Sequence, residues 1–505
     1  MRSMYLLGLV VIGTVAATAA GCGGDDEGGG GDGGAGGAGG ATSSSTTSAT
    51  TSVVSTTSSG GGEEDENTSI ETAEQITVGG DAVQATLEPV DTDQDFYRFS
   101  GTEGQILFIG TDAKPSNDET DPTYPDLVIT LLNAEGTQIA RNDDPPGGGA
   151  NDSTLYTVLP ADGDYYLVVE ECTSALGPDS CAPAEDIVSF DYAVGINTVD
   201  VAAEDDDSLV AGTEPNDEAE QAVALGYDPV SGEDRYYTTF LFGGFESAED
   251  VDVYSFTLPE TPAAANGLKA QFTVYGPTGP EGNGSTVDVG EIALFSAADL
   301  TTPYAKVDAS KGGDIEVPVQ IGEEGKYFIF VKRAPGDVGA NDFYILLHNR
   351  VESQGVEGEE LTNNLATTPE GDLASFENAG GGTSYEVDGQ IIADGVTADV
   401  DFYEIPLPQN AEPDWRVSAF CGAQRHGSGL RALTVELLNG DGTEIGATYT
   451  ATESETEELV LDGLALPANI AEDRLIAKVS AGTPADDVTS RSYNCLFAYL
   501  PPQTN

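Results

Sequence analysis

From residue 63 onward, short apolar runs alternate with clusters of Gly, Pro, Asp and Asn, and no segment sustains the 3.6-residue period of a helix. Leu127-Val128-Ile129-Thr130-Leu131-Leu132 and Tyr165-Tyr166-Leu167-Val168-Val169 are two such runs, each of strand length and each bounded by turn residues. Three times the alternation takes the same form: Asp93-Gln94-Asp95-Phe96-Tyr97-Arg98-Phe99, Asp250-Val251-Asp252-Val253-Tyr254-Ser255-Phe256 and Asp399-Val400-Asp401-Phe402-Tyr403-Glu404-Ile405. A strand places alternate residues on one face, so each copy sets two aspartates, a tyrosine and an apolar residue in one row. Each row is expected to enter a β-sandwich core with its acids at the mouth. The predicted fold class is all-β, with three tandem β-sandwich (jelly-roll-like) domains.

A longer match supports the repeat. Leu127 to Ile139 and Leu433 to Ile445 agree at seven of thirteen positions, and this block and the Asp-x-Asp block are both displaced by 306 residues. The first and third copies therefore align without a gap from Asp93 to Ile139. The block reads as strand, tight turn and strand, with Gly136 and Gly442 where the turn needs positive φ. A second match joins residues 162–169 to residues 324–331, a turn feeding an apolar strand. The expected domains are residues 63–199, 214–351 and 361–501, separated by an acidic linker at 200–213, which contains Glu204-Asp205-Asp206-Asp207, and a second linker at 352–360.

Residues 1–21 read as an export signal: Arg2 is basic, Leu6 to Ala20 is apolar but too short to span a bilayer, and small residues follow. Ala19-Ala20-Gly21-Cys22 resembles the lipobox of bacterial lipoproteins, which implies cleavage before Cys22 and acylation of that cysteine. Gly23 carries no acidic retention signal, so an outer membrane lipoprotein, facing the cell surface or the periplasm, is expected. Residues 22–62 are almost wholly Gly, Ser, Thr, Ala and Asp and are expected to form a disordered tether. A coil of ~40 residues spans about 35 Å, enough to hold folded domains clear of a membrane surface.

Charge narrows the choice of partners. With 88 acidic against 18 basic residues the formal net charge is −70, which repels nucleic acid and anionic lipid and disfavours self-association. A monomer is expected, touching membrane through its lipid anchor alone. Apart from Cys22 there are four cysteines, an even number in an exported chain. Three pairings are possible, and the domain boundaries favour Cys172 with Cys181 and Cys421 with Cys495, contributing about 3 and about 4.5 kcal/mol by loop entropy. Catalytic arrangements are scarce. The two histidines, His348 and His426, fall in different copies, and neither a His-Glu-x-x-His zinc motif nor a Gly-x-Ser-x-Gly elbow occurs. His348, after the apolar run from Phe343 to Leu347, reads as a surface residue at a strand end. Arg416, Arg425, His426 and Arg431 gather near Trp415, the one tryptophan; Trp415 is expected to fill core while the basic residues pair locally.

Taken together, the Asp-x-Asp-x-Tyr-x-Phe strand, the Leu-Leu-Asn-x-x-Gly-Thr hairpin, the Gly-x-Tyr-Tyr-Leu-Val-Val strand and Glu214-Pro215-Asn216-Asp217 resemble the bacterial pre-peptidase C-terminal domain. That β-sandwich module follows the catalytic domains of many secreted peptidases and also occurs in surface proteins without a peptidase. The second copy departs from the pattern in the hairpin, at Leu294 to Asp299, and the third in the Gly-x-Tyr strand, at Arg474 to Val479. The resemblance implies calcium held by an acidic and amide cluster together with the Asp-x-Asp aspartates, and hard oxygen donors are what calcium prefers. In the second copy these are Glu214, Asn216, Asp217, Asp250 and Asp252. The first offers Asp65, Asn67, Asp93 and Asp95, with Thr68 in the place of Asp217. The third has Asn363, Asn364, Asp399 and Asp401, a poorer set. The expected function is non-catalytic: a lipid-anchored cell-envelope protein with calcium-supported binding or adhesion modules, whose partner is an envelope protein or polysaccharide. The alternatives are an accessory subunit of a secreted peptidase, a hydrolase using an unrecognised carboxylate site, and a carbohydrate-binding surface protein.

Overall fold

The structure is a computed structural model. It describes residues 67–114, 126–143, 152–177, 181, 188–199, 209–225, 228–229, 236–258, 268–274, 278–308, 319–321, 325–339, 341–352, 363–371, 373–378, 382–392, 399–454, 459–467 and 469–502. Cys22, the tether and Asp65 lie outside the described residues.

Strands dominate, and they form six sheets that pair into three sandwiches. In the first sandwich one sheet runs in the order Glu74–Gln75, Gln94–Gly101, Gly163–Glu171, Leu127–Leu132, Gln138–Asn142, and the other Val83–Leu87, Phe190–Thr198, Ile106–Lys114, Thr154–Val158. Tyr97, Phe99, Leu167 and Val169 from the first sheet and Leu107, Ile109, Tyr192 and Val194 from the second share one core. The second sandwich repeats the order: Val223–Ala224, Val251–Leu258, Gly325–Arg333, Val289–Ser296, Ala305–Asp308 against Tyr236–Gly244, Phe343–Glu352, Leu268–Val274, Val319–Ile321. The third repeats it again, with Asp401–Pro406, Arg474–Ser480, Thr434–Asn439, Thr450–Thr452 facing Thr383–Gln390, Ser492–Leu500, Arg416–Gly422, Leu459–Ala465. The entering chain makes a parallel contact onto the core tyrosine every time, as Glu74 opposite Tyr97, Val223 opposite Tyr254 and Glu370 opposite Tyr403.

Period-two burial explains why these segments are strands. Along Gln94–Gly101, Asp95, Tyr97, Phe99 and Gly101 point inward while Arg98 and Ser100 face solvent. Burying an aromatic or aliphatic side chain of this size contributes about 1.5–3 kcal/mol, so each inward row anchors its sheet. Gly136 and Gly442 adopt φ of 77° and 80°, and in both turns the glycine N–H bonds the Asn133 or Asn439 carbonyl. Beyond that turn the third copy departs from the expected hairpin: after one bridge between Leu438 and Glu444, pairing resumes only at Thr450, behind a 3-10 turn at Ala447–Tyr449. Leu209–Ala211, inside the expected linker, pairs in parallel with Phe240, Leu241 and Phe242.

Both disulfides form, Cys172 with Cys181 and Cys421 with Cys495. Trp415 is buried in the third core, and Arg431 spends Nη1 on the Ser428 and Leu430 carbonyls rather than on acids. His348 corrects the sequence reading. Its strand continues to Glu352 with neighbours on both sides, so His348 is wholly buried, stacked on Phe272 with ring centroids 4.1 Å apart and edge-on to Phe256.

Candidate functional site

Each Asp-x-Asp strand begins beneath a buried asparagine. Asn67, Asn216 and Asn363 accept through their backbone carbonyls from the N–H groups of Phe96, Val253 and Phe402, at 2.8, 2.9 and 2.9 Å. This backbone bond pins the leading segment over the strand in all three copies. The first aspartate of each strand accepts a backbone N–H from the preceding segment: Asp93 from Glu88 at 2.7 Å, Asp250 from Glu246 at 2.6 Å and Asp399 from Ile392 at 2.7 Å. All three are at least nine-tenths buried.

The second aspartate has a different role. Asp95, Asp252 and Asp401 each accept a hydrogen bond from a tyrosine of the opposite sheet: Tyr192 at 2.5 Å, Tyr344 at 2.6 Å and Tyr493 at 2.6 Å. That tyrosine in turn shares a hydrogen bond with the tyrosine two residues beyond the aspartate, as Tyr97 with Tyr192 at 2.6 Å, Tyr254 with Tyr344 at 2.6 Å and Tyr403 with Tyr493 at 2.5 Å. A polar Asp-Tyr-Tyr chain therefore bridges the two sheets inside every sandwich. Burial pushes the Tyr192, Tyr254 and Tyr344 hydroxyls well above their ordinary range, which keeps them protonated as donors. Sequence reading missed Tyr192, Tyr344 and Tyr493. The signal that could have found them is spacing, since Asp252 to Tyr344 and Asp401 to Tyr493 are both 92 residues apart.

Only in the second sandwich do the described residues collect an acidic rim. Carboxylate oxygens of Glu214, Asp217 and Asp250 lie within 4.8 Å of one another, with Asp252 and Asn216 buried beneath. The Asn216 side-chain amide nitrogen donates to the Glu214 carboxylate at 3.0 and 3.2 Å and to Asp252 Oδ1 at 3.0 Å. Burial raises the Asp250 carboxyl, and Asp217 beside it raises it further against the pull of the Glu246 N–H. Asp252 is pushed up to about 8, by burial first and then by the negative charge of Asp250 and Glu214, with the Tyr344 hydrogen bond acting the other way. Carboxylates so crowded hold their charge poorly without a cation. The donor set is carboxylate oxygen, a hard ligand that fits calcium.

The first sandwich brings Asn67, Asp93 and Asp95 together as buried residues, whereas Asp65 lies outside the described ones. In the third, the Asn364 side-chain oxygen accepts the Val400 N–H at 3.0 Å, serving as a turn cap. Asp126 lies close to Cys172 and Cys181, yet sulfurs locked in a disulfide carry no thiolate for a metal.

Residues 93–171 match the bacterial pre-peptidase C-terminal domain. The match opens on the first aspartate of the Asp-x-Asp strand and closes at Glu171, the end of the strand paired with it, so it takes in Asp95 and Tyr97 but stops short of Tyr192. No curated protein matches the chain. Among solved structures, similar ones include a triple jelly roll protein of an archaeal virus, at 10% identity over 83% of this chain and 88% of that one, with a TM-score of 0.16. Tandem CBM51 modules of a family 98 glycoside hydrolase from Streptococcus pneumoniae align at 9% identity over 53% and 83%, with a TM-score of 0.15. Tripeptidyl peptidase 2 aligns at 8% over 81% and 33%, with a TM-score of 0.19.

Proposed function

We propose that this chain is a non-catalytic binding protein of the bacterial envelope, lipid-anchored through Cys22 in the outer membrane, whose second sandwich uses calcium to fix its binding rim. The observation that carries the reading is the convergence of Glu214, Asp217 and Asp250 over the buried Asp252 and Asn216. A divalent cation there would relieve repulsion among acids that share a partly dry site. It would also tie the segment from Glu214 to Asp217 down onto the strand Val251–Leu258. The match of residues 93–171 to a module that accompanies secreted peptidases supports an envelope setting. The partner is an envelope protein or a polysaccharide, and the chain works as a monomer.

Calorimetry of the full chain tests the metal. Binding to the folded form alone stabilises by about 2.7 kcal/mol at a hundredfold excess over Kd, so calcium should raise the melting temperature relative to chelator, and magnesium should do less. The pair Asp217→Ala and Asp250→Ala should abolish that response. Identical melting in calcium and chelator would mean that these acids only cap turns. For the anchor, Cys22→Ser should move the protein out of the detergent phase, and unchanged partition would refute acylation. A hydrolase screen on the same preparation addresses the rival reading, since turnover lost on one acid substitution would make the protein an enzyme.

A further inference from the structure

The joints between sandwiches repeat as closely as the sandwiches do. The backbone N–H of Arg141 donates to the Gly282 carbonyl at 2.8 Å, crossing from the first sandwich to the second; that of Lys306 donates to the Gly427 carbonyl at 2.9 Å, crossing from the second to the third. Both donors lie on the return strand of the hairpin at one register, Arg141 opposite Thr130 and Lys306 opposite Ala293. Both acceptors lie in glycine turns between corresponding strands, one between Leu268–Val274 and Val289–Ser296, the other between Arg416–Gly422 and Thr434–Asn439. One serine pins each turn to its own sandwich. Ser285 Oγ accepts the Val287 N–H at 3.0 Å and donates to the Phe343 carbonyl; Ser428 Oγ accepts the Leu430 N–H at 3.2 Å and donates to the Ser490 carbonyl at 3.4 Å. The residue two places before the last strand also reaches across: Asn341 Nδ2 to the Val158 carbonyl at 3.1 Å, and Ser490 N–H to the Tyr304 carbonyl at 2.9 Å.

At the first joint an apolar layer adds to these bonds. Phe240, Phe242, Phe343, Ile345 and Leu347 are buried on the outer face of the second sandwich, against Ile106, Tyr156, Val158 and Val199 of the first. Tyr156 stacks on Phe240 with centroids 5.7 Å apart, and Thr157 Oγ1 donates to the Asn283 carbonyl at 2.7 Å. Gly284, at φ 85°, leaves no room for a side chain, since a Cβ would stand 2.7 Å from the Ile139 carbonyl oxygen. The second joint adds the Thr489 N–H to the Pro303 carbonyl at 3.0 Å and the Lys306 to Asp487 pair at 3.5 Å. In the third sandwich the counterpart of Arg141 and Lys306 is Thr450, opposite Glu436, and its N–H bonds the Ala447 carbonyl of the 3-10 turn Ala447–Tyr449.

We propose that the hairpin edge of each sandwich is a socket for the glycine turn of the next, that the three sandwiches therefore move as one body, and that the third socket is closed by its own 3-10 turn. Unpaired edge strands invite pairing with other chains, and arrays of repeats need a terminal unit that stops the series. Here two edges are consumed within the chain and the third is capped, which agrees with a monomer.

The test cuts the chain without touching a sandwich. A specific protease sequence is inserted within residues 200–208 of the full protein, and within 353–360 of a second version. Neither disulfide crosses these sites, so no covalent bond survives cleavage. The cleaved fragments should co-elute on size exclusion in native buffer and separate only in denaturant. Separate elution in native buffer would overturn the proposal. In the first version Tyr156→Asp should release the first sandwich, with each fragment keeping its own melting transition, whereas Tyr156→Phe should leave the fragments together. Retention of the Tyr156→Asp fragments would equally overturn it.

Discussion

The Asp-Tyr-Tyr chain of the third sandwich can be dissected by removing one hydroxyl at a time. Tyr493 Oη donates to Asp401 Oδ2 at 2.6 Å and shares the hydrogen bond with Tyr403 at 2.5 Å, so Tyr493→Phe removes both links. A hydrogen bond to a carboxylate contributes about 2 kcal/mol and the lost partner of a buried hydroxyl costs about 1 kcal/mol more, giving roughly 3 kcal/mol for this substitution. Tyr403→Phe removes one neutral bond and leaves the Tyr493 to Asp401 bond in place, which costs about 1 kcal/mol. Both side chains are buried, so added packing loss is small and similar. Trp415, the single tryptophan, lies in this core and makes fluorescence in urea specific to the third sandwich. With a urea m-value of about 1.5–2 kcal/mol/M, the midpoint should fall by about 1.5–2 M for Tyr493→Phe and about 0.5 M for Tyr403→Phe. Equal shifts, or a larger one for Tyr403→Phe, would refute the claim that the second tyrosine carries the link to the aspartate.

Asp252, raised from an ordinary 3.8 to about 8, binds its proton more tightly folded than unfolded. Its contribution to stability is full below the unfolded value and is lost as pH rises through about 8, at no more than ~1.4 kcal/mol per pH unit. Chelator-treated protein should thus melt lower at pH 9 than at pH 5, and Asp252→Asn should flatten the slope; no slope in the wild type would refute the shift. Arg333 Nε meets Asp342 Oδ2 at 2.6 Å with both side chains almost wholly buried. Asp342→Ala should destabilise by about 3 kcal/mol in urea titration, and adding Arg333→Met should recover part of it, because an unpaired buried charge is worse than none. Replacing Cys421 and Cys495 by Ala frees a loop of 74 residues and should cost about 4.5 kcal/mol, against about 3 kcal/mol for Cys172 and Cys181 with a separation of 9. A smaller loss for the longer loop would contradict the chain-entropy account.

The amino-acid sequence alone determined the strands and their repetition, because burial in a strand follows a period of two that is written locally. Asp95, Tyr97 and Phe99 alternate with solvent-facing residues whatever lies across the sheet. Turn chemistry is local too, which is why Gly136 and Gly442 adopt the positive φ expected of them. Cysteine pairing followed from domain boundaries, and the acids of the second rim were legible because Glu214, Asn216 and Asp217 stand within four residues.

Tertiary structure decided whatever depends on groups brought together from distant parts of the chain. His348 sits past an apolar run, which locally suggests a strand end, yet the neighbouring strands extend alongside it and make it core. Tyr344 and Tyr493 join their aspartates across 92 residues, a distance over which no local pattern acts. The joints are the extreme case, since Arg141 and Gly282 carry no chemical label in sequence and meet only because a free strand edge and a glycine carbonyl are presented at matching heights by two finished sandwiches. Local sequence sets backbone conformation and facing; the pairing of hydrogen-bonding groups across sheets and between sandwiches exists only once the cores have formed.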